Sequence, residues 1–393
     1  MRRIASITGT RADYGLMEPV YRAIADNPAF ELHLIVTGMH HLPEFSSSLA
    51  QVYADKFGSL YNVKLAYEND SVESMARAIG QGMLGTTAVL SEIKPNIILL
   101  QGDRGEMLAT AIVAAQMNLP VVHMSGGDFS GSIDDSIRNA ISKFAHFHLT
   151  SCDASTRRLV QLGEAPDRIV EVGEPALDLL RTMTFIPIET LAAELGLPRG
   201  RPFLLATLHP MTDESDQAAS QMKIMLEAVA ALEMLTVVTH PNNDAGGRAM
   251  REVLDSWRGR PHIRVIANLG SHRYLSLLRN AAAMVGNSSS GIIEAPALKI
   301  PVINIGSRQH NRLRAGNVVD VACERDAIVK AVRFVLGDVE FRRKLATCRS
   351  PYGDGHATER TIDVLSRLKL DTELIEKWRP SANSFLTARN NGV

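Results

Sequence analysis

Cysteine is nearly absent. The 393 residues contain three, none within metal-ligand spacing of another, so neither a disulfide framework nor a zinc motif is written into the chain. Cys152, Cys323 and Cys348 read as small packing residues of a protein kept in a reduced, cytoplasmic compartment. Net charge is equally scarce. With 42 Lys and Arg against 43 Asp and Glu, the formal charge is -1. No global field would draw nucleic acid or an anionic membrane, and any anion must be bound locally. The most apolar run, Met107 to Met124, is interrupted by Gln116, Asn118 and Pro120 and cannot span a bilayer. A strand pattern begins at Ile4 with no long apolar stretch or small-residue cleavage site before it, so no secretory leader is expected. Also missing are a GxGxxG dinucleotide fingerprint, a lysine after Gly15 that would make a Walker A loop, an HExxH pair and a nucleophile elbow. Each absence removes a chemistry: nicotinamide redox, P-loop phosphate transfer, zinc hydrolysis and serine hydrolysis.

What is present is an alternation of short β-branched runs with longer helical patterns, the mark of parallel βαβ units. Strands are expected at Arg3–Thr8, Glu31–Val36, Ser59–Lys64, Ile97–Gln101, Val121–Met124 and His148–Thr150, then at Phe203–Thr207, Leu235–Thr239, Ile263–Ile266, Ala283–Val285 and Val302–Ile305. Between the two sets, Gly173 and Pro175 mark a crossing segment, and the hinge is placed there. From Arg325 onward only helical patterns remain, ending with Ile362–Trp378 and a polar tail expected to fray. The length calls for two domains: an N-terminal Rossmann-like domain over 1–171, a C-terminal one over 172–366, and a last helix and tail over 367–393. Two such domains facing each other turn the carboxyl ends of both sheets onto one cleft, where open α/β sheets bind ligands.

The segments at those strand ends carry the candidate chemistry. The run Ala283-Met-Val-Gly-Asn-Ser-Ser-Ser-Gly291 takes a strand through a turn into a helix. Ser288, Ser289 and Ser290 place hydroxyls and amides at the helix start, an anion site of the kind phosphates use, with Gly291 allowing close approach. Glu294 lies less than two turns further on, placed either to accept both hydroxyls of a ribose or to complement the helix start. After the first strand, Arg11 could clamp a phosphate while Asp13 caps the following helix; in the plainer reading Arg11 is solvated. His40 and His41 follow the second strand. Asp103 and Arg104 follow the fourth, either as helix cap and partner or as a carboxylate and a cation turned into the cleft. After the fifth come Gly126 and Gly127, then Asp128 and the run Ser132-Ile-Asp-Asp135, whose acids suit proton transfer or, as S-x-x-D, a capping box. His209 and His240 each precede a proline at a strand end in the second half, held extended. Arg308 and Arg312 add cations at the same edge. Taken together, the arginines, serines and Glu294 describe a nucleoside diphosphate site assembled from both domains.

The motifs GTRADYG, GDRGE, the double glycine followed by IDDSIR, TLHP, HPNND and GNSSSGIIEAP leading to INIGSRQ stand in this order from the first strand to about Val321. In that combination the chain resembles the hydrolysing UDP-N-acetylglucosamine 2-epimerases. The resemblance implies the two-domain glycosyltransferase-B-like α/β fold, a nucleotide held mainly by the C-terminal domain, and a C-terminal helix that returns to the first domain. It further implies a UDP-sugar as partner, no metal or redox cofactor, and a homo-oligomer, dimer or tetramer. By position it makes Ser288 and Ser289 diphosphate ligands and Glu294 the ribose ligand. It turns Arg11 and Arg104 toward the phosphates and sugar, groups Asp103, Asp135 and His209 as catalytic, places His40 near the sugar, and sets 269–274 beside the uracil.

Departures from the family pattern sharpen the expectation. Ser125 precedes the double glycine where relatives carry His or Glu; Asp128 replaces a Glu, Asn139 a His and Asn311 a Gly. Ser125 cannot act as a base unaided, so either Asp128 or Asp135 takes that role or the sugar differs. The implied reaction turns UDP-N-acetylglucosamine and water into UDP and N-acetylmannosamine, for sialic acid synthesis. Breaking C1–O first makes C1 oxocarbenium-like and acidifies C2. Asp103 or Asp135 then removes the C2 proton to give a 2-acetamidoglucal, which water hydrates, with His209 moving a proton or assisting the leaving group. Open alternatives are the same reaction on a UDP- or GDP-linked 2,4-diacetamido-2,4,6-trideoxy sugar of the legionaminic pathway, a retaining glycosyltransferase, or a non-catalytic nucleotide-sugar binder.

Overall fold

The computed structural model describes residues 1–43, 46–66, 69, 71–131 and 133–377. Its first sheet is built from β1 (Arg2–Thr8), β2 (Phe30–Val36), β3 (Ser59–Asn62), β4 (Ile97–Gln101), β5 (Val121–Met124), β6 (Phe147–Thr150) and β7 (Ile169–Glu171), in the order β3-β2-β1-β4-β5-β6-β7. The second contains β8 (Phe203–Thr207), β9 (Leu235–Thr239), β10 (Ile263–Ile266), β11 (Ala283–Gly286), β12 (Val302–Ile305) and β13 (Val318–Val321), ordered β10-β9-β8-β11-β12-β13. Every strand pair is parallel. The central strands are apolar throughout because helices cover both faces; β4 and β8 are buried at all five positions.

Two short strands escape the sequence pattern. β7, three residues long, lies inside the segment read as a crossing, and β13 follows a polar loop; neither is long enough to show a period of its own. At the far end, the helix expected over 362–378 is instead a helix over Ala357–Arg367 and, past a break, a single turn over Thr372–Ile375 whose N-cap is Asp371. Trp378 and the tail lie outside the described residues. These two elements pack on the first sheet: Leu365, Leu368 and Leu374 are buried in one cluster with Ile4, Tyr14, Tyr21 and Leu149. Each such leucine contributes about 1.5–3 kcal/mol. Lys377 Nζ meets Glu164 at 2.7 Å, and Arg168 donates to the carbonyl of Leu374 at 2.9 Å.

The chain therefore passes between the sheets twice. The passages are tied where the Glu174 amide donates to the Tyr352 carbonyl at 2.8 Å and Asp178 accepts from the amide of Ala357 at 2.9 Å. In each sheet the strand order reverses next to the first strand, β1 beside β4 and β8 beside β11. The loops that leave those four strands carry Arg11, Asp103, His209 and Ser288, so both topological switch points open on the same cleft. Among the described residues no helix is long and apolar enough to cross a membrane.

Candidate functional site: a two-chambered interdomain cleft

The cleft consists of two cavities, of about 170 and about 210 Å³, that share Arg11, Leu16, His209, Ser288 and Ser289 as common wall. The smaller chamber continues past Ser290 and Glu294 to Asn268, Leu269, Ser271 and Tyr274. The larger continues into the first domain past Asp103, Arg104, Ser125, Asp128 and Glu174, with Arg308 and Arg312 coming from the second.

At the shared wall, β11 ends in Gly286, whose φ of 136° suits only glycine, and a Cβ there would stand 1.9 Å from the Thr207 carbonyl oxygen. The following helix covers only Ser290–Ile293. With one turn there is little aligned dipole to offer an anion, so any anion site here rests on the amides and hydroxyls of the serine turn. Ser290 is turned aside to Tyr274, hydroxyl to hydroxyl at 2.6 Å, leaving Ser288 and Ser289 to face both chambers. Gly291 serves packing: a Cβ there would lie 2.8 Å from Val302. Gly126 and Gly127 do the same against His123, Ser142 and the Ser155 carbonyl. Close approach at Gly291 was expected to serve the ligand, but the crowding at all three glycines comes from the protein itself.

His209 is fixed on two sides. Its amide donates to Asn287 Oδ1 at 2.7 Å, and its Nδ1 accepts from the Asn242 amide at 3.0 Å. Burial, then Arg308, Arg11 and Arg104, hold its pKa well below the usual histidine range. The ring is therefore neutral, and with Nδ1 accepting, the proton sits on Nε2. It is built to donate a hydrogen bond and poorly suited to supply a proton. Arg11 crosses the cleft, donating to the carbonyls of Ala267 at 3.0 Å and His240 at 3.3 Å and to Asn268 Oδ1 at 2.9 Å. Asp13 stays behind as a helix cap in a capping box with Thr10. Of the two readings of that loop, the cap holds for Asp13 while Arg11 is not left to solvent.

In the first-domain wall the acids are arranged around Arg138, a buried residue that sequence reading did not single out. Arg138 pairs with Asp103 and, at 2.6 Å, with Asp135. Burial alone would raise the pKa of Asp103, but Arg138, Arg312, Arg104 and Arg308 outweigh it and hold the carboxyl below its ordinary range. Asp135, expected among the catalytic acids, is held by its own loop. Its oxygens accept from the amides of Ser130 at 2.9 Å and Gly131 at 2.6 Å and from the Ser130 hydroxyl, so it organises the loop and grips Arg138, while Asp134 lines the cleft. Ser132, the other half of the expected capping box, lies outside the described residues. Asp128 meets Arg312 at 3.0 Å. Arg104 reaches Asp244 at 3.5 Å across the cleft, and Arg308 donates to the Asn287 carbonyl at 3.2 Å. His40, expected near the sugar, has both ring nitrogens occupied by Thr8 and Ser48, at 2.9 and 2.8 Å, and Met39 and Ser48 line the chamber beside it.

Glu294 is buried, one of its oxygens has no hydrogen-bond partner, and burial raises its pKa to about 7. Such a carboxyl accepts ligand hydroxyls readily. Glu174 is similar and was not anticipated, because an acid before a proline in a crossing segment carries no pattern of its own. Arg138 did carry a signal, the i, i+3 spacing from Asp135 on one helix face.

The model of the UDP-N-acetylglucosamine 2-epimerase family matches residues 22–366. The chain belongs to that family. It is 37% identical over 377 residues to the hydrolysing UDP-N,N'-diacetylbacillosamine 2-epimerase of Legionella pneumophila, covering 96% of this chain and 99% of that one. It is 34% identical over 333 residues to a UDP-N-acetylglucosamine 2-epimerase of Neisseria meningitidis, covering 85% and 87%. Among solved structures, the MnaA–UDP co-structure from S. aureus superposes with a TM-score of 0.79 at 18% identity, covering 93% and 96%, a likeness of fold. The family makes the chain a nucleotide-sugar 2-epimerase, on the glycosyltransferase-B-like fold.

Proposed function

We propose that the chain cleaves and epimerises a UDP-linked 2,4-diacetamido-2,4,6-trideoxy sugar, releasing UDP and the 2-epimeric free sugar. The observation that carries the substrate is the end-to-end likeness to the Legionella pneumophila diacetylbacillosamine enzyme. The larger chamber agrees with it. Leu16, Met39 and Ile293 give an apolar wall suited to a 6-methyl group, and Ser48 and Ser130 offer hydroxyls for an amide substituent. UDP-N-acetylglucosamine, the sugar implied by the motifs, is the second reading, favoured by the Neisseria meningitidis relative.

In this reading uracil and ribose occupy the smaller chamber, with Glu294 accepting the ribose hydroxyls. The diphosphate lies at the common wall against Arg11, Ser288, Ser289 and the His209 Nε2–H, and the sugar enters the larger chamber. Negative charge that develops on the departing UDP meets donors already in place, the largest usual source of acceleration. Asp103, kept ionised by its arginines, takes the C2 proton as the C1–O bonding pair leaves with UDP; the C2–H pair becomes the C1=C2 bond of a glucal. Water then adds across that bond with C2 inverted.

The test is turnover of both sugars in deuterium oxide, followed by NMR. A higher kcat/KM for the diacetamido substrate and one deuterium at C2 of the product are expected. Preference for UDP-N-acetylglucosamine would transfer the assignment to the second reading, and product without deuterium would remove the elimination route.

A further inference from the structure

Ser125, just past the end of β5, has a φ of 60°, unusual for a residue with a Cβ. Its hydroxyl points at a carboxylate from elsewhere in the chain, donating to Glu174 Oε2 at 3.0 Å. Glu174 comes from the first passage between the domains, beyond β7, and is only 3% exposed. The plain role for an acid there is to cap the helix over Pro175–Thr182, yet its side chain makes no capping hydrogen bond. It enters the wall of the larger chamber beside Ser125 and Asp128. Its Oε1 is buried without a hydrogen-bond partner, which a carboxylate tolerates poorly unless a proton or a ligand completes it.

We propose that Glu174 is a catalytic residue of this chain, the acid that delivers a proton to C2 in the hydration half of the reaction. The proposal rests on the epimerase reading above. Glu174 in its carboxylic acid form gives its proton to C2, the C1=C2 π pair making the new C2–H bond and leaving C1 oxocarbenium-like. Water adds to C1 through an oxygen pair, and the proton it sheds returns to the Glu174 carboxylate. The sum is H and OH added across the double bond, with Glu174 restored.

The surroundings favour an acid that holds its proton near neutrality. Burial raises its pKa to about 7, the Ser125 hydrogen bond opposes, the nearby Asp128 and Glu294 carboxylates raise it further, and Arg312 lowers it; Tyr352 is the remaining titratable neighbour. Asp103 has the opposite surroundings. Pinned by arginines, it suits removal of a proton, so the two halves of the inversion fall to two acids on different strand ends.

Glu174→Gln separates the steps. We expect this variant to release UDP from the substrate within about fivefold of the wild-type rate and to accumulate the unsaturated sugar, seen by NMR. The free epimeric sugar should fall at least 100-fold, in the usual range for loss of a general acid. Epimeric sugar formed within about threefold of wild type would overturn the proposal. So would equal loss of UDP release and sugar formation in a variant that still binds UDP. If Glu174→Gln does not fold, Ser125→Ala decides: removing the hydroxyl that favours the ionised carboxylate should move the alkaline limb of sugar formation to higher pH, and an unmoved limb counts against Glu174. Wild-type protein that releases UDP from neither nucleotide sugar would instead sink the epimerase reading itself.

Discussion

In the larger chamber Asp103 and Asp128 each face an arginine at ion-pair distance, with Asp135 behind the wall on the same Arg138 as Asp103, whereas in the smaller chamber Glu294 keeps an oxygen with no hydrogen-bond partner. The difference is one of charge state. Arginine neighbours hold Asp103 and Asp135 below the usual carboxylate range; desolvation lets Glu294 hold a proton or give it up near neutrality. On the function proposed above, charge is concentrated where bonds would break and spared where a nucleoside would only be recognised. Glu174 is the acid of the larger chamber whose surroundings resemble those of the smaller.

Breaking the arginine network should cost most. Arg138→Met leaves the buried Asp135 and the partly exposed Asp103 without their shared partner, and stranding one half of a buried ion pair costs about 3–5 kcal/mol. Urea unfolding should show that loss with little change in slope, together with loss of turnover. A loss under about 1 kcal/mol would mean that the aspartates find other partners.

Asp103→Asn keeps the shape and removes the charge. Turnover should fall about 10²–10⁴-fold while UDP affinity, measured calorimetrically, stays within about threefold. Equal loss of both would assign Asp103 to structure.

The smaller chamber has a pH signature of its own. Glu294 ionises near 4.5 when unfolded and at about 7 when folded, so between those values the folded state holds a proton that the unfolded state has lost. Its contribution to stability therefore falls as pH rises from about 4.5 to 7 and is constant above, by up to about 3 kcal/mol at 1.36 kcal/mol per pH unit. Asp103 and Asp135, lowered from 3.8, act in the other direction and only as pH drops through the acid range. The difference between wild type and Glu294→Gln in unfolding free energy should accordingly change between pH 5 and 8; a constant difference would show that Glu294 is not desolvated.

How far the sequence foretold this site depends on the kind of contact. β4 and β5 run over the expected residues because buried parallel strands read as unbroken apolar runs, and the ends of β4, β8 and β11 deliver Asp103, His209 and Ser288 to the cleft. β7 and β13 were illegible because they are short and only partly buried, so they show neither an unbroken apolar run nor a period. The partners of Asp135 and His40 were illegible for another reason. Whether a loop aspartate faces a ligand or its own backbone depends on amides brought near by folding, here those of Ser130 and Gly131, and whether a histidine is free depends on distant partners, here Thr8 and Ser48. Glu174 is the extreme case: its partner Ser125 lies 49 positions away, and nothing local marks either residue as half of a pair.

The smallest effect is expected where the two chambers meet. Arg11 spans the cleft by donating to three neutral oxygens, so its hydrogen bonds join the domains while its charge has no carboxylate among those acceptors. Burial correspondingly lowers its pKa, a cation in want of an anion. The strut and the phosphate clamp are separable by substitution. Arg11→Met removes both, and loss of a charged hydrogen bond of about 1.5–3 kcal/mol should weaken UDP binding at least tenfold. Arg11→Lys keeps the charge but cannot span three acceptors with one ammonium; UDP affinity should fall only about threefold. Equal weakening by both variants would mean that the planar fork matters more than its charge. Unchanged UDP affinity in both would leave Arg11 as a strut between domains and place the diphosphate on Ser288, Ser289 and His209 alone.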